Sequence, residues 1–250
     1  MDHTACFHFF GRLQSLLVRP HREGRVPYLF REQPAVKDAV EALGIPHTEV
    51  GLLVANGASV SFAYSLQRRH RIEFYLHGWP VDISPRVPLV PPLPTTRRFI
   101  LDVHLGKLAR RLRMLGFDCL YRNDYEDADI VEIACRDDRI VLTRDRGLLK
   151  RKQVAWGCLL DGDRYPEQLR ELEERYGLLA EVDPLGRCPN CNGLLKSVEK
   201  AQILDRLEPK TVHYYDNFRL CTECDKIYWQ GSHAEKILRW IDLIVQPKMV

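Results

Sequence analysis

Phe99-Ile-Leu-Asp-Val-His-Leu-Gly-Lys-Leu-Ala-Arg-Arg-Leu-Arg-Met-Leu-Gly-Phe-Asp118 decides the fold. Its first three residues are a short apolar strand, and an acid, Asp102, follows at once. Gly106 to Leu115 is then a helix: Leu105, Leu108, Ala109, Leu112 and Leu115 share one face, and Lys107, Arg110 and Arg111 another. Working outward, Cys119-Leu-Tyr121 is the next strand and Asp127 to Arg136 a helix with Ile130, Ile133 and Ala134 inward. Arg139-Ile-Val-Leu-Thr143 is a strand, Asp145 to Lys152 a short helical turn, and Val154 through Leu160 another strand. Pro166 to Tyr176 is a helix with proline at its start and Gly177 at its close. Strand and helix alternate, as in a parallel sheet covered by helices.

The flanks read differently. Ser84-Pro-Arg-Val-Pro-Leu-Val-Pro-Pro-Leu-Pro94 has five prolines in eleven residues and predicts an extended, semi-stiff linker. Ahead of it come apolar runs at Ala5–Phe10 and Val26–Phe30, a helix over Pro34–Gly44, strands Leu52–Ala55 and Ser59–Phe62 around an Asn56-Gly57 turn, and a last strand Arg71–Leu76. One helix crossing a small mixed sheet suggests a β-grasp. Past Asp183-Pro-Leu-Gly186 come two Cys-x-x-Cys pairs, then Ser232-His-Ala-Glu235, a capping box opening a helix with Ile237, Trp240, Ile241 and Ile244 on one side. The expected organisation is therefore α/β overall: a β-grasp over 1–83, the linker over 84–96, a parallel α/β/α sheet domain over 97–185, and a zinc ribbon with a C-terminal helix over 186–250.

Composition excludes several classes. In 250 residues, 45 % are hydrophobic and 28 % charged, which argues against disorder and coiled coil. No apolar run is long enough for a membrane span. Met1-Asp-His-Thr-Ala-Cys-Phe places an acid where an export signal needs bases, so a cytoplasmic protein is expected. The net charge of +3 is too small to prove a polyanion partner by itself. Of eight cysteines, Cys188, Cys191, Cys221 and Cys224 have the spacing of a closed Zn²⁺ site with four soft ligands. Cys6, Cys119, Cys135 and Cys158 stand alone in apolar stretches and read as buried thiols.

The chemistry is expected where ligands bind in open parallel sheets, beyond the carboxyl ends of the strands. Asp102 and Asp145 stand there, and Asp124, Glu126, Asp127 and Asp129 gather at the entry of the next helix. Carboxylates sharing a rim repel one another unless a cation neutralises them. Mg²⁺ or Mn²⁺ suits such oxygen ligands, and a cation so held can activate water and stabilise an in-line phosphoryl transition state. The plainer alternative is that each Asp caps a helix. His104 is close enough to Asp102 to assist. Lys107, Arg110, Arg111 and Arg113 follow the first acid, and Arg144, Arg146, Lys150, Arg151 and Lys152 surround the last; they would grip phosphates or form a solvated face. Tyr228, Trp229 and His233 follow the second cysteine pair and would stack on unpaired bases or serve as ribbon core.

Two resemblances sharpen this. The first segment resembles ubiquitin-like proteins of the sulfur-carrier branch, yet it runs through Gly78-Trp-Pro-Val-Asp82 into the prolines without a Gly-Gly tail. That implies a docking surface for a protein partner rather than carrier chemistry. The stretch from Phe99, with Ile140-Val-Leu-Thr-Arg-Asp145, the four cysteines and Tyr228-Trp-Gln-Gly-Ser-His233, resembles the PIN-fold ribonuclease domain at the C-terminus of the Mut-seven exonuclease. That family carries a zinc ribbon, and some members carry a ubiquitin-like domain in front. The resemblance implies cleavage of single-stranded RNA with Mg²⁺ or Mn²⁺, with Asp102 as first acid, Asp145 as the Thr-x-Asp acid, and Asp127, with Asp129 as fallback, at the helix entry. The alternative function is a non-catalytic RNA-binding adaptor built on the zinc ribbon.

Overall fold

The computed structural model describes residues 3–18 and 21–229. Along the chain run β1 (His3–Phe9), α1 (Leu13–Leu16), β2 (Arg25–Phe30), α2 (Val36–Ala42), β3 (Leu52–Ala55), β4 (Ala58–Ser59) and β5 (Arg71–Tyr75). Then come β6 (Arg98–Leu101), α3 (Gly106–Met114), β7 (Asp118–Leu120), α4 (Asp127–Arg136), β8 (Ile140–Thr143), α5 (Arg146–Leu149), β9 (Gly157–Leu159) and α6 (Tyr165–Tyr176). The chain continues through β10 (Leu195–Val198), α7 (Pro209–Tyr214), β11 (Phe218–Cys221) and β12 (Ile227–Trp229). The helix expected after Ser232 lies outside the described residues. Among the described residues no helix is long and apolar enough to cross a membrane.

The chain divides into two compact units, Met1–Thr95 with Val131–Leu159, and Thr96–Ile130 with Leu160–Val250. In the first, a five-stranded mixed sheet has the order β2-β1-β5-β3-β4. β1 is antiparallel to β2 and parallel to β5, and β3 is antiparallel to β4 and β5. A parallel pair needs a crossover, and the segment carrying α2 supplies it. Alternation along β1 buries Ala5, Phe7 and Phe9, and Phe9 stacks on Phe74 with ring centroids 4.4 Å apart. The second sheet face is covered too: Phe10, Trp79, Val81 and Ile83 pack on Leu52, Val54 and Tyr75. Asn56 and Gly57 both take positive φ, 48° and 88°, the turn that a two-residue hairpin demands. The same alternation that buries Phe7 turns Cys6 outward, and Cys135 is exposed as well, so only Cys119 and Cys158 fit the buried-thiol expectation.

The sheet domain is parallel, as expected. In the first unit β8 pairs with β9, Val141 opposite Gly157 and Thr143 opposite Leu159. In the second, β6 pairs with β7, Arg98 opposite Asp118 and Ile100 opposite Leu120. α3 makes the crossover, burying Leu108, Ala109 and Leu112 while Lys107 and Arg110 stay exposed. Gly177 closes α6 in the left-handed conformation, φ 63°. β10, β11 and β12 form an antiparallel ribbon, with Val198, Phe218 and Trp229 in cross-strand register.

The 84–96 stretch is not a bare spacer: the Trp156 indole donates to the Pro91 carbonyl (3.0 Å), and Val87 N–H donates to Ser59 Oγ (2.9 Å). In the same unit His47 is buried, its Nδ1 2.6 Å from Glu41 Oε1 and its Nε2 3.1 Å from the Val154 carbonyl. Burial pushes the imidazole below its ordinary value of 6.5 and Lys37 adds to this, against an opposing pull from Glu41. Because burial lowers its pKa, the imidazole takes up its proton first in the unfolded chain, so its contribution to stability is full above about pH 6.5 and falls as acid is added below it. Urea unfolding at pH 7 and pH 5.5 is expected to show a lower midpoint at the acid pH, and His47→Gln should remove part of that difference.

Candidate active site and metal centre

β6 is wholly buried at Phe99, Ile100 and Leu101, and the chain emerges from it at Asp102, itself 8 % exposed. Asp102 is extended, and its Oδ1 accepts the Val103 N–H at 2.6 Å, opening a single 3₁₀ turn over Val103–Leu105 before α3. Tyr121, just past β7, straps this turn by donating its hydroxyl to the Val103 carbonyl (2.9 Å). Gly106 makes room for that strap, since a Cβ there would lie 2.7 Å from the Tyr121 hydroxyl oxygen. Nothing in the sequence pattern singles out Tyr121. His104 is exposed.

At the helix entry the acids separate by what they bind. Asp124 is exposed and paired with Arg122 through two contacts of 2.9 and 2.7 Å, which hold its carboxyl below the usual range. Asp129 Oδ2 accepts the Glu126 N–H (2.9 Å). Asp127, half-buried, is the first residue of α4. Asp145, in the other unit, follows β8 by two residues and is exposed. Its N–H donates to Thr143 Oγ1 (2.9 Å), and its Oδ1 caps α5 by accepting the Gly147 N–H (2.7 Å). Asp102 and Asp145 are therefore both caps, and each cap engages a single carboxylate oxygen, Oδ1.

The cations divide sharply. Lys107, Arg110 and Arg144 are exposed. Arg111 lies over the Tyr165 ring, 4.9 Å from its centroid. Arg113 is 6 % exposed and donates to the carbonyls of Cys119 (2.8 Å) and Asn190 (3.1 Å). Arg146 donates to the Leu16 carbonyl (2.7 Å). Arg113 and Arg146 thus work as ties within the protein, a role their sequence neighbours give no sign of.

The four cysteines come together. Their sulfurs all lie within 4.8 Å of one another, with Cys188 and Cys224 3.6 Å apart and Cys191 and Cys221 3.4 Å apart. Four sulfurs at about 2.3 Å from one tetrahedral Zn²⁺ stand about 3.8 Å from each other, so the donor set and its spacing fit that ion. Each knuckle turns on a left-handed residue after its second cysteine, Asn192 (φ 74°) and Asp225 (φ 57°). The Glu223 and Cys224 N–H groups both approach Cys221 Sγ at 3.5 Å. Burial pushes the Cys188 thiol up, but the Tyr228 hydroxyl at 3.1 Å and the N–H groups of Cys191 and Asn190 outweigh it and bring it to about 7. Burial drives Cys191 the other way, to about 12. Tyr228 thus serves the cysteine centre. Trp229, half-buried, packs 6.2 Å from Phe218 and borders a polar cavity of about 420 Å³ with Ser197, Asp216, Asn217 and Arg219. His233 lies outside the described residues.

Comparison with known families agrees with this architecture. Residues 97–241, more than half of the chain, match the family model described as Mut7-C RNAse domain. Residues 2–80 match the one described as Mut7-C ubiquitin. No curated protein and no solved structure matches the chain.

Proposed function

The chain belongs to the Mut7-C RNAse domain family, with a Mut7-C ubiquitin domain ahead of it, and from this premise we propose that it is a metal-dependent ribonuclease acting on single-stranded RNA. The observation that carries the reading is where two acids stand. Asp102 and Asp145 are each the first carboxylate beyond the C-terminal end of a parallel strand, the position at which α/β sheets hold their ligands. Asp102, Asp127 and Asp145 would hold Mg²⁺ or Mn²⁺, with Asp129 as the alternative at the helix entry. Their hard oxygen donors fit such ions. The ion would supply charge neutralisation and Lewis acidity at a phosphodiester.

The rest falls to the chain's own groups. The Val103 N–H and the Tyr121 strap fix the backbone on which Asp102 sits. Thr143 and Gly147 bracket Asp145. Lys107, Arg110 and Arg144, exposed to solvent, would draw in the phosphates, and Trp229 would offer a face to an unpaired base. Zn²⁺ on Cys188, Cys191, Cys221 and Cys224 would be structural, because four sulfurs leave no open position. The caps made by Asp102 and Asp145 favour the second reading, an RNA-binding adaptor without catalysis.

Incubating the full-length protein with a labelled single-stranded RNA separates the two. Cleavage that appears with Mn²⁺ or Mg²⁺ and stops with a chelator of hard cations, zinc content unchanged, is the expected result. Retention of RNA with no cleavage in either metal would leave the adaptor.

A further inference from the structure

The ubiquitin-like domain grips the stretch that follows Asp145. Residues 45–50 are buried without a break, though three of them are polar: His47, Thr48 and Glu49 are 4 %, 2 % and 0 % exposed. A buried carboxylate is costly unless it is hydrogen-bonded. Glu49 Oε1 accepts the Leu159 N–H at 2.8 Å, and Arg12 donates to the carbonyl of the same Leu159. β9 ends its sheet, and an open edge strand is a liability unless something covers it. Both edge groups of Leu159 are thus met by side chains of the N-terminal domain.

The grip continues back to the acid. His47 meets the Val154 carbonyl, and Lys150 Nζ donates to the Glu41 carbonyl (2.7 Å). Arg146, the residue after Asp145, donates to Leu16. Gly157 is packed so closely that a Cβ would sit 2.4 Å from Leu149 and 3.6 Å from Thr48. α5 has four residues, too few to hold its own shape. Its place, and that of the acid capping it, depends on what it is fastened to.

We infer that the ubiquitin-like domain is a brace for the nuclease segment: it fixes residues 146–159 and thereby the orientation of Asp145, with Glu49 and His47 as positioning residues. This rests on the role proposed for Asp145. It also means that Arg146 and Lys150 serve the brace rather than the RNA, and that the face around Glu49 is already occupied by this chain.

Hydrogen exchange and Mn²⁺ dependence, both measured on the full chain, test the brace. Glu49→Ala is expected to speed exchange at Leu159 and across 146–159, and to raise the Mn²⁺ concentration for half-maximal cleavage by about tenfold, the usual cost of losing a supporting partner. Glu49→Gln, which keeps an oxygen for the Leu159 N–H, should restore both. Lys150→Ala, which removes a single tie, carries the same readouts if Glu49→Ala does not fold. Unchanged exchange over 146–159, or faster exchange with an unchanged Mn²⁺ requirement, overturns the brace. Wild-type protein that shows no Mn²⁺-dependent cleavage defeats the nuclease reading instead, and the exchange data still decide whether the domain holds this segment.

Discussion

Asp102→Asn is expected to lower cleavage of single-stranded RNA by about 10³-fold while zinc content and thermal midpoint stay at wild-type values. The substitution separates the observed cap from the proposed cation ligand. As a cap, Asp102 uses Oδ1 to accept the Val103 N–H, and asparagine presents the same oxygen in the same place. Asparagine and aspartate are about equally good caps, whereas alanine costs about 1 kcal/mol. As a cation ligand, Asp102 would contribute a full negative charge, which asparagine lacks. A cap alone therefore predicts no change in rate, and a ligand predicts a large one. Asp145→Asn follows the same logic, because its Oδ1 bond to the Gly147 N–H also survives. Single-turnover cleavage at fixed Mn²⁺ with a parallel Mn²⁺ titration reads the effect. Wild-type rates for Asp102→Asn would reduce this residue to its cap and strike it from the proposed cation site.

What the sequence discloses and what it hides follow from the range of the interactions. α3, α4 and α6 were legible to within a residue or two because an amphipathic face repeats locally. The cysteines were legible because ligand spacing is itself a local constraint. The strand expected over Ser59–Phe62 shrinks to Ala58–Ser59 for a tertiary reason. The carbonyls of Phe62 and Tyr64 accept the N–H groups of Lys37 and Val36 at the start of α2, so that backbone satisfies a helix end instead of a ladder. Asp102 and Asp145 could be picked out because each is the first acid after an apolar strand. Their neighbouring cations could not be sorted. Arg110 and Arg113 stand three residues apart on one helix, yet Arg113 turns to carbonyls at Cys119 and Asn190 while Arg110 faces solvent. Arg146 binds Leu16, 130 residues away. Composition cannot tell a guanidinium that ties backbone from one that awaits a phosphate.

Removing zinc, by chelation or by Cys221→Ser, is expected to unfold the β10–β12 ribbon and to loosen β7 with it. The ribbon's strands are three and four residues long, and among the described residues its apolar core is small, chiefly Leu195, Ile203 and Phe218. Such a core does not hold itself, and structural zinc in small domains supplies roughly 10–16 kcal/mol of apparent folding free energy. The effect travels through the first knuckle. Asn192, in the left-handed position beside Cys191, takes the Cys119 N–H on its Oδ1 (2.9 Å) and donates its amide to Asp118 Oδ1 (2.8 Å). Arg113 bridges the Asn190 carbonyl to the Cys119 carbonyl. β7 lies against β6, from which Asp102 emerges, so losing the knuckle frees the strand beside the acid. Elemental analysis should find one zinc per chain. Metal-free protein should then lose exchange protection at β10–β12 and at the Cys119 amide. Acid acts in the same direction, since the thiols must give up protons to bind: Cys188 does so near 7, and burial pushes Cys191 and Cys224 upward. A metal-free chain that keeps its β11 amides and its Cys119 amide protected would show that the cysteines are spectators and that hydrogen bonds and the apolar core alone hold the ribbon.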